Sequence, residues 1–409
     1  MVLIIGAGIA GLTCSANLYS KGVEVLIVEA SDGVGGRVRT DVKNGFLLDR
    51  GFQILLTAYP EAQEILNFAT LDLKAFQSGA LIKATEGFET LSNPFENPNQ
   101  IFQTVFSSVG SLADKLRILR LIWDTQNLDE EIMTLPSEST LDFLGNYGFS
   151  EKFIHQFFMP FFGGVFLENE LKTSASFFKY IFGKFYEGQA VIPSGGMQKI
   201  AEQIAQKLPA NTIRLNSKVI QIDANKAILS NGTSIPFDKL VVATDSFQAS
   251  KLLNRPAPSS YNSTTCTYFA ASKSPLDKPM LALNPDRSGL IHNMCVPSDI
   301  APQYAPEGKS LISISTQNAP KLSDSDWENT LRKELIGWFG EEARSWEFLK
   351  KYEIKESLNP FPAGSVYNPN FEVSKHVYQC GDWTCYPSLN GAMLSGRKVA
   401  ELIVDSVKR

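Results

Sequence analysis

Val2-Leu3-Ile4-Ile5-Gly6-Ala7-Gly8-Ile9-Ala10-Gly11 opens the chain, and Glu29 closes the next apolar run, Val23 to Val28. Val2 to Ile5 is continuously apolar, as expected of a parallel strand buried on both faces. Ile9 to Ser20 carries helix formers, with Leu12, Ala16 and Leu18 among its apolar positions. Gly22 stands where a helix end favours glycine. Strand, turn, helix and strand follow one another within about 30 residues, which is one βαβ half-unit.

The glycines of that turn each have a physical task. Gly6 permits the sharp bend, Gly8 lets a diphosphate approach the backbone, and Gly11 lets the helix pack close to the strand. The amides of Ile9 and Ala10 then sit at a helix N-terminus, where unpaired N–H groups and the helix dipole favour an anion. Glu29 ends the second strand, where a carboxylate can accept hydrogen bonds from a ribose. Shortly after it comes Gly35-Gly36-Arg37, an arginine fork suited to phosphate oxygens on a backbone that can pass beside a ligand. This opening predicts a dinucleotide-binding fold.

The far end supplies a second candidate group. His376 to Cys380 reads as a strand ending in Gly381-Asp382, a carboxylate placed for ribityl or ribose hydroxyls. Pro387-Ser388-Leu389-Asn390-Gly391-Ala392 then starts a helix expected to run to about Val407. A helix start aimed at a ring system stabilises negative charge there.

Between the two ends the character changes. Residues 100–190 are rich in phenylalanine and read mainly as helices, with Leu112, Leu116, Leu119, Ile122 and Trp123 at helical spacing. Residues 191–250 return to α/β character. A helix is expected from Pro193-Ser194-Gly195-Gly196-Met197 to Leu208, then strands near 212–222 and 226–235, an Asn231-Gly232 turn, and a strand at 240–243. Residues 261–357 alternate short strands with one helix at about 324–339. The fold class expected is α/β, a discontinuous Rossmann-like cofactor domain with an inserted α+β substrate domain. The division is 1–75, 191–250 and 358–409 for the first, and 76–190 and 251–357 for the second.

Composition narrows the function. The net charge is -5, with no long basic block, which argues against a nucleic-acid partner. The five cysteines (Cys14, Cys266, Cys295, Cys380, Cys385) are scattered, so neither a disulfide framework nor a metal site is expected with His155, His292 and His376. No apolar run reaches the ~20 residues that span a bilayer, and no leader is evident, so a cytoplasmic setting is expected. No Ser-His-Asp arrangement for hydrolysis is apparent.

Taken together, GAGIAG with Glu29, GGR at 35–37, PSGGM at 193–197, VVATD at 241–245 and GDWT…NGAMLSGRKVAELI at 381–403 resemble the flavin-containing amine oxidase superfamily. It includes amine oxidases, protoporphyrinogen oxidase and plant-type carotene desaturases. The resemblance implies non-covalent FAD, with contacts at Gly11, Glu29, Ala30, Gly36, Arg37, Val219 (backbone to adenine), Asp382 and Leu389. Gly6, Gly8, Ile9, Ala10, Ala243, Thr244, Gly381, Ser388, Asn390 and Ala392 complete the candidate cofactor set. Leu48-Asp49-Arg50-Gly51-Phe52-Gln53, Ala58-Tyr59-Pro60 and the closing NGAMLSGRKVAE resemble the desaturase branch. Amine oxidases generally hold a lysine over the flavin on the strand that here reads Thr264-Thr265-Cys266-Thr267-Tyr268, with Cys266 aligned to it. Gln53, Cys266 and Tyr386 are therefore candidates beside the ring, with the flavin itself doing the chemistry. Cys385 reads as a small buried residue rather than a covalent flavin link.

Phe153, Phe157, Phe158, Phe161, Phe162, Phe166, Phe177 and Phe178 offer three readings: core, the lining of an apolar substrate tunnel, or a peripheral membrane contact. The expected reaction is removal of a hydride equivalent from a C–H bond of a largely apolar substrate, with oxygen or a quinone as acceptor. The rivals are a true amine oxidase, a non-redox isomerase using reduced FAD, and a module that keeps FAD for structure only.

Overall fold

The computed structural model describes residues 1–92, 109–258 and 260–408, so residues 100–108 of the expected helical middle lie outside the described residues. Its central sheet has six strands in the order Ile213–Arg214, Val25–Val28, Val2–Ile5, Lys239–Val242, Val377–Gln379, Glu372–Ser374. All neighbours pair in parallel except the last pair, which is antiparallel. Every residue of Val2–Ile5 and Val25–Val28 is buried, which is why these strands are apolar without alternation. The first helix, Ile9–Ser20, and the closing helix, Leu389–Lys408, pack side by side. Gly396 allows this approach, since a methyl group there would come within 2.3 Å of the Ala10 carbonyl oxygen.

A second sheet has seven strands in the order Glu347–Leu358, Asn262–Ala271, Ser310–Gln317, Asn293–Cys295, Leu281–Leu283, Gly79–Lys83, Phe88–Ser92. It is antiparallel apart from the pairing of Leu281–Leu283 with Gly79–Lys83. One face packs on the helix Asp324–Phe339, where Trp327, Leu331 and Leu335 meet Phe269, Ile312 and Ile314. The alternate residues point the other way, towards the cavity described below.

The phenylalanine-rich run forms one helical rod, Glu151–Phe166, with a π-helical stretch at Ile154–Phe158. A second helix, Ala175–Glu187, lies against it, and Phe162 and Phe178 meet edge to face with ring centres 4.7 Å apart. Of the eight phenylalanines singled out, all but Phe161 are buried. The rod therefore turns its rings inward, which removes the basis for a membrane contact through them. Among the described residues no helix is long and apolar enough to cross a membrane.

Three local expectations change. The stretch 212–222 splits: Ile213–Arg214 joins the central sheet, and Val219–Asp223 joins a three-stranded sheet with Lys226–Leu229 and Ser234–Pro236. The expected Asn231-Gly232 turn is present, with Gly232 at φ +82°, and it divides the expected strand 226–235 into the antiparallel pair Lys226–Leu229 and Ser234–Pro236. The helix after PSGGM ends at Ala205 rather than Leu208. In the helix Leu112–Thr125 the buried face is Asp114, Leu121, Ile122 and Thr125, leaving Leu112, Leu116 and Trp123 exposed. Helical spacing identifies the helix there but not its inner face.

Candidate active site

Gly6 leaves the first strand at φ +109°, and Gly8 caps the first helix without any side-chain cap or first-turn acid. The first-turn amides are thus left for a ligand. Gly6, Gly8, Ile9 and Ala10 line a large cavity, and a methyl group built on Gly8 would meet nothing within 4 Å. Gly11 is absent from that wall. Its place is against the strand, where a methyl group would fall 2.1 Å from the Gly6 carbonyl oxygen. The Gly35-Gly36-Arg37 loop lies directly on the turn, with Gly35 N donating to Ala7 O at 2.8 Å.

Glu29 is buried, and Ala7 N donates to its Oε2 at 2.8 Å while Ser31 N and Oγ donate to Oε1 at 2.8 and 2.7 Å. Oε1 is filled by the two Ser31 donors, but Oε2 keeps a second lone pair, so the group ties down the turn and can still accept from a ribose. Arg37 donates from Nη2 to Asp382 Oδ1 at 2.5 Å and from Nη1 to Ser357 O at 2.7 Å. Burial opposes its charge, and the neighbouring Asp382 more than offsets this. The sequence motifs at 35–37 and 381–382 therefore meet in space as an ion pair. Gln53 donates from Nε2 to Arg37 O at 2.9 Å, which leaves its buried Oε1 without a partner among the described residues.

Ala30, Gly36, Val219, Ala243, Thr244, Gly381, Ser388, Leu389 and Ala392 are all on the cavity wall, as are Glu29, Arg37, Asp382 and Gln53. Asn390 is not. Its Oδ1 accepts from Glu61 N at 3.0 Å, and its Nδ2 donates to Tyr386 Oη at 2.8 Å and Tyr180 Oη at 3.1 Å. Tyr386 is likewise fully buried away from the wall, packed on Phe177, Tyr180 and Tyr367. Cys266 lies beneath the segment 49–52 with its Sγ 3.5 Å from Ser313 Oγ, and burial pushes its thiol up to about 11. Burial similarly raises the Cys385 thiol to about 12, and that residue is off the wall too. Of the three ring-side candidates, only Gln53 faces the cavity.

The cavity has a volume of about 1560 Å³ and continues from the glycine turn into the space between the phenylalanine rod and the second sheet. Phe153, Phe157, Phe161, Phe162, Phe166 and Phe177 line it, whereas Phe158 and Phe178 lie behind them. Thr264, Asn293, Ser315 and Gln317 form a polar patch on the sheet, where register pairs Thr264 with Gln317 and Asn293 with Ser315. The sequence reading missed this patch, although the alternation Ser313, Ser315, Gln317 along one strand was a signal. It also missed Ser31, Lys218 and Asp245 on the dinucleotide side. The uncapped amides, the open space at Gly8, Glu29 and the Arg37 fork fit a dinucleotide diphosphate.

Comparison with known proteins agrees in kind. The family model of flavin containing amine oxidoreductases matches residues 9–404, and the chain belongs to that family. It is similar to protoporphyrinogen oxidase 2 of Arabidopsis thaliana, 26% identical over 164 residues, which are 40% of this chain and 32% of that protein's length. It is also similar to coproporphyrinogen III oxidase of Bacillus subtilis, 22% identical over 400 residues and 82% of each chain. A solved oxidoreductase from Methanosarcina mazei has the same fold, with TM-score 0.74 and 18% identity over 98% of this chain and 99% of that one. The chain is an FAD-dependent oxidoreductase of the amine oxidase superfamily.

Proposed function

We propose, from the premise that this chain belongs to the flavin containing amine oxidoreductase family, that it removes a hydride equivalent from a C–H bond of a largely apolar organic molecule. The observation that carries this reading is the wall of the cavity. Its carboxylates are Glu29, Asp245 and Asp382 on the dinucleotide side and the exposed Glu353 and Glu356 on the strand Glu347–Leu358, and none of them stands on the phenylalanine rod. The phenylalanine end offers an apolar substrate rings to pack on, and it offers an ammonium group no anion among the described residues.

FAD, when bound, supplies the electron acceptor and passes the electrons on to oxygen or a quinone. The chain's own residues bind, orient and exclude water. The first-turn amides and Arg37 hold the diphosphate, Glu29 a ribose, and Asp382 the hydroxyls of the linker. The start of the closing helix, at Ser388 and Leu389, places its dipole where negative charge develops. Gln53 Oε1 is an acceptor for an N–H group at the ring or the substrate. Phe161, Phe162 and Phe177 hold the reacting carbon against the cofactor and keep water out.

An amine oxidase remains the alternative, and an isomerase working with reduced FAD a further one. The test is anaerobic mixing of the yellow protein with a neutral polyene and, separately, with putrescine. Bleaching of the flavin band by the polyene alone supports the proposal. Bleaching by the amine with peroxide release in air, or turnover only after prior reduction with no acceptor consumed, assigns it to the rivals.

A further inference from the structure

Behind the inner end of the cavity lies a cation with no anionic partner among the described residues. Arg287 lies behind the wall, next to Gly163 of the phenylalanine rod. Its Nη2 donates to Asn169 Oδ1 and to Gln317 Oε1 at 2.7 Å and lies 3.1 Å from His292 Nδ1, which is itself 2.6 Å from Gln317 Oε1; all three residues are neutral. Its Nε and Nη1 are buried and have no partner among the described residues. Burial lowers this guanidinium to about 10, which still leaves it charged at neutral pH.

Gln317 connects that charge to the cavity. A guanidinium only donates, so the amide atom facing it is the oxygen, and the NH2 end is turned away. Gln317 is 1% exposed, lines the cavity, and its Nε2 has no partner among the described residues. Asn293 and Ser315, also on the wall, stand on the same sheet face. Gly164 lets the rod pack close beside this patch, because a methyl group there would fall 2.8 Å from Asn293 Nδ2. A buried donor left unpaired costs free energy until a ligand satisfies it.

We infer that the substrate carries a carboxylate, which Gln317 Nε2 receives with Asn293 and Ser315 beside it and the Arg287 charge behind it, while its apolar body lies along the phenylalanine rod towards the cofactor. The substrate class is thus an amphipathic acid rather than a hydrocarbon or an amine. The inference rests on the functional reading above and specifies its substrate.

The test uses two probes with one polyene body, all-trans-retinoate and all-trans-retinol, titrated into the FAD-loaded protein and followed by quenching of tryptophan fluorescence. Retinoate should bind about tenfold tighter, the size of one charge-assisted hydrogen bond. Gln317→Leu and Arg287→Met should each abolish that preference, bringing retinoate down to the affinity of retinol. Gln317→Glu, which keeps the shape and the bond to Arg287, should reverse the preference, and it serves if the other variants fail to fold. Equal affinities for the two probes, binding of neither, or an undiminished preference in the folded variants overturns the inference. FAD content measured on the same samples separates the two readings. A protein that takes up no flavin defeats the proposed function, whereas a flavin-loaded protein indifferent to the carboxylate defeats the subsite alone.

Discussion

Asp49 is buried, and its carboxylate accepts from Thr40 Oγ1 at 2.6 Å, Tyr304 Oη at 2.8 Å and Met197 N at 3.0 Å. Burial raises this acid to about 6, although the three bonds oppose the rise. The folded state therefore holds the proton more tightly than the unfolded chain, whose aspartates titrate near 3.9. Stability from this group is full below about pH 4, falls by about 3 kcal/mol as pH rises to 6, and is level above that. Asp49→Asn should flatten that part of the curve, checked by urea midpoints between about pH 4 and pH 7. A slope unchanged by the substitution would sink the assignment. Arg37→Ala addresses function at the same scale. It removes one charge-assisted contact to the diphosphate, about 1.5–3 kcal/mol, so the Kd for FAD should rise about ten- to a hundredfold in equilibrium dialysis. Wild-type retention of FAD would refute the phosphate role. Glu29→Ala should weaken retention in the same assay by removing the acceptor for the ribose.

At the scale of the element, the glycine turn separates folding from binding. A methyl group at Gly8 enters open space at an ordinary φ of −73°, so Gly8→Ala should melt like the parent apoprotein yet lose flavin. A methyl group at Gly11 meets the Gly6 carbonyl at 2.1 Å, so Gly11→Ala should lower the melting temperature whether or not FAD is present. Calorimetry on stripped and loaded protein distinguishes the two, and equal behaviour of the variants contradicts the assigned roles. The same turn explains what sequence could reveal. Gly6, Gly8 and Glu29 come together on the cavity wall through local spacing, so a one-dimensional pattern suffices to find them. Asn390 and Tyr386 sit at the right place in the chain, but a helix start sends successive side chains in different directions, and theirs point into the Tyr180 network. Cys266 shares a strand face with the wall residue Thr264, yet the segment 49–52 covers it. The polar patch around Gln317 depends on cross-strand register between distant segments, which no single stretch of sequence carries.

On the scale of the whole molecule, the cavity wall is contributed by residues from Ile5 to Ala392. A ligand there bridges many segments, so removing FAD should lower the melting temperature by an amount that grows with the free FAD used as reference, about 2.7 kcal/mol at a hundredfold excess over Kd. A melting curve indifferent to added FAD would contradict the proposed placement. The α/β class and the order of the motifs were legible because the first two parallel strands, Val2–Ile5 and Val25–Val28, are short, fully apolar runs. The exposure of Leu112 and Leu116 was not, since it depends on where the neighbouring rod lies. The packing of the closing helix along the first one has a further consequence, for biosynthesis. A nascent chain on the ribosome has the turn at Gly6 to Gly11 long before the helix Leu389–Lys408 that completes the groove. Flavin capture must then be a late event, and polypeptides stalled before residue 381 should emerge colourless however much riboflavin the cell is fed.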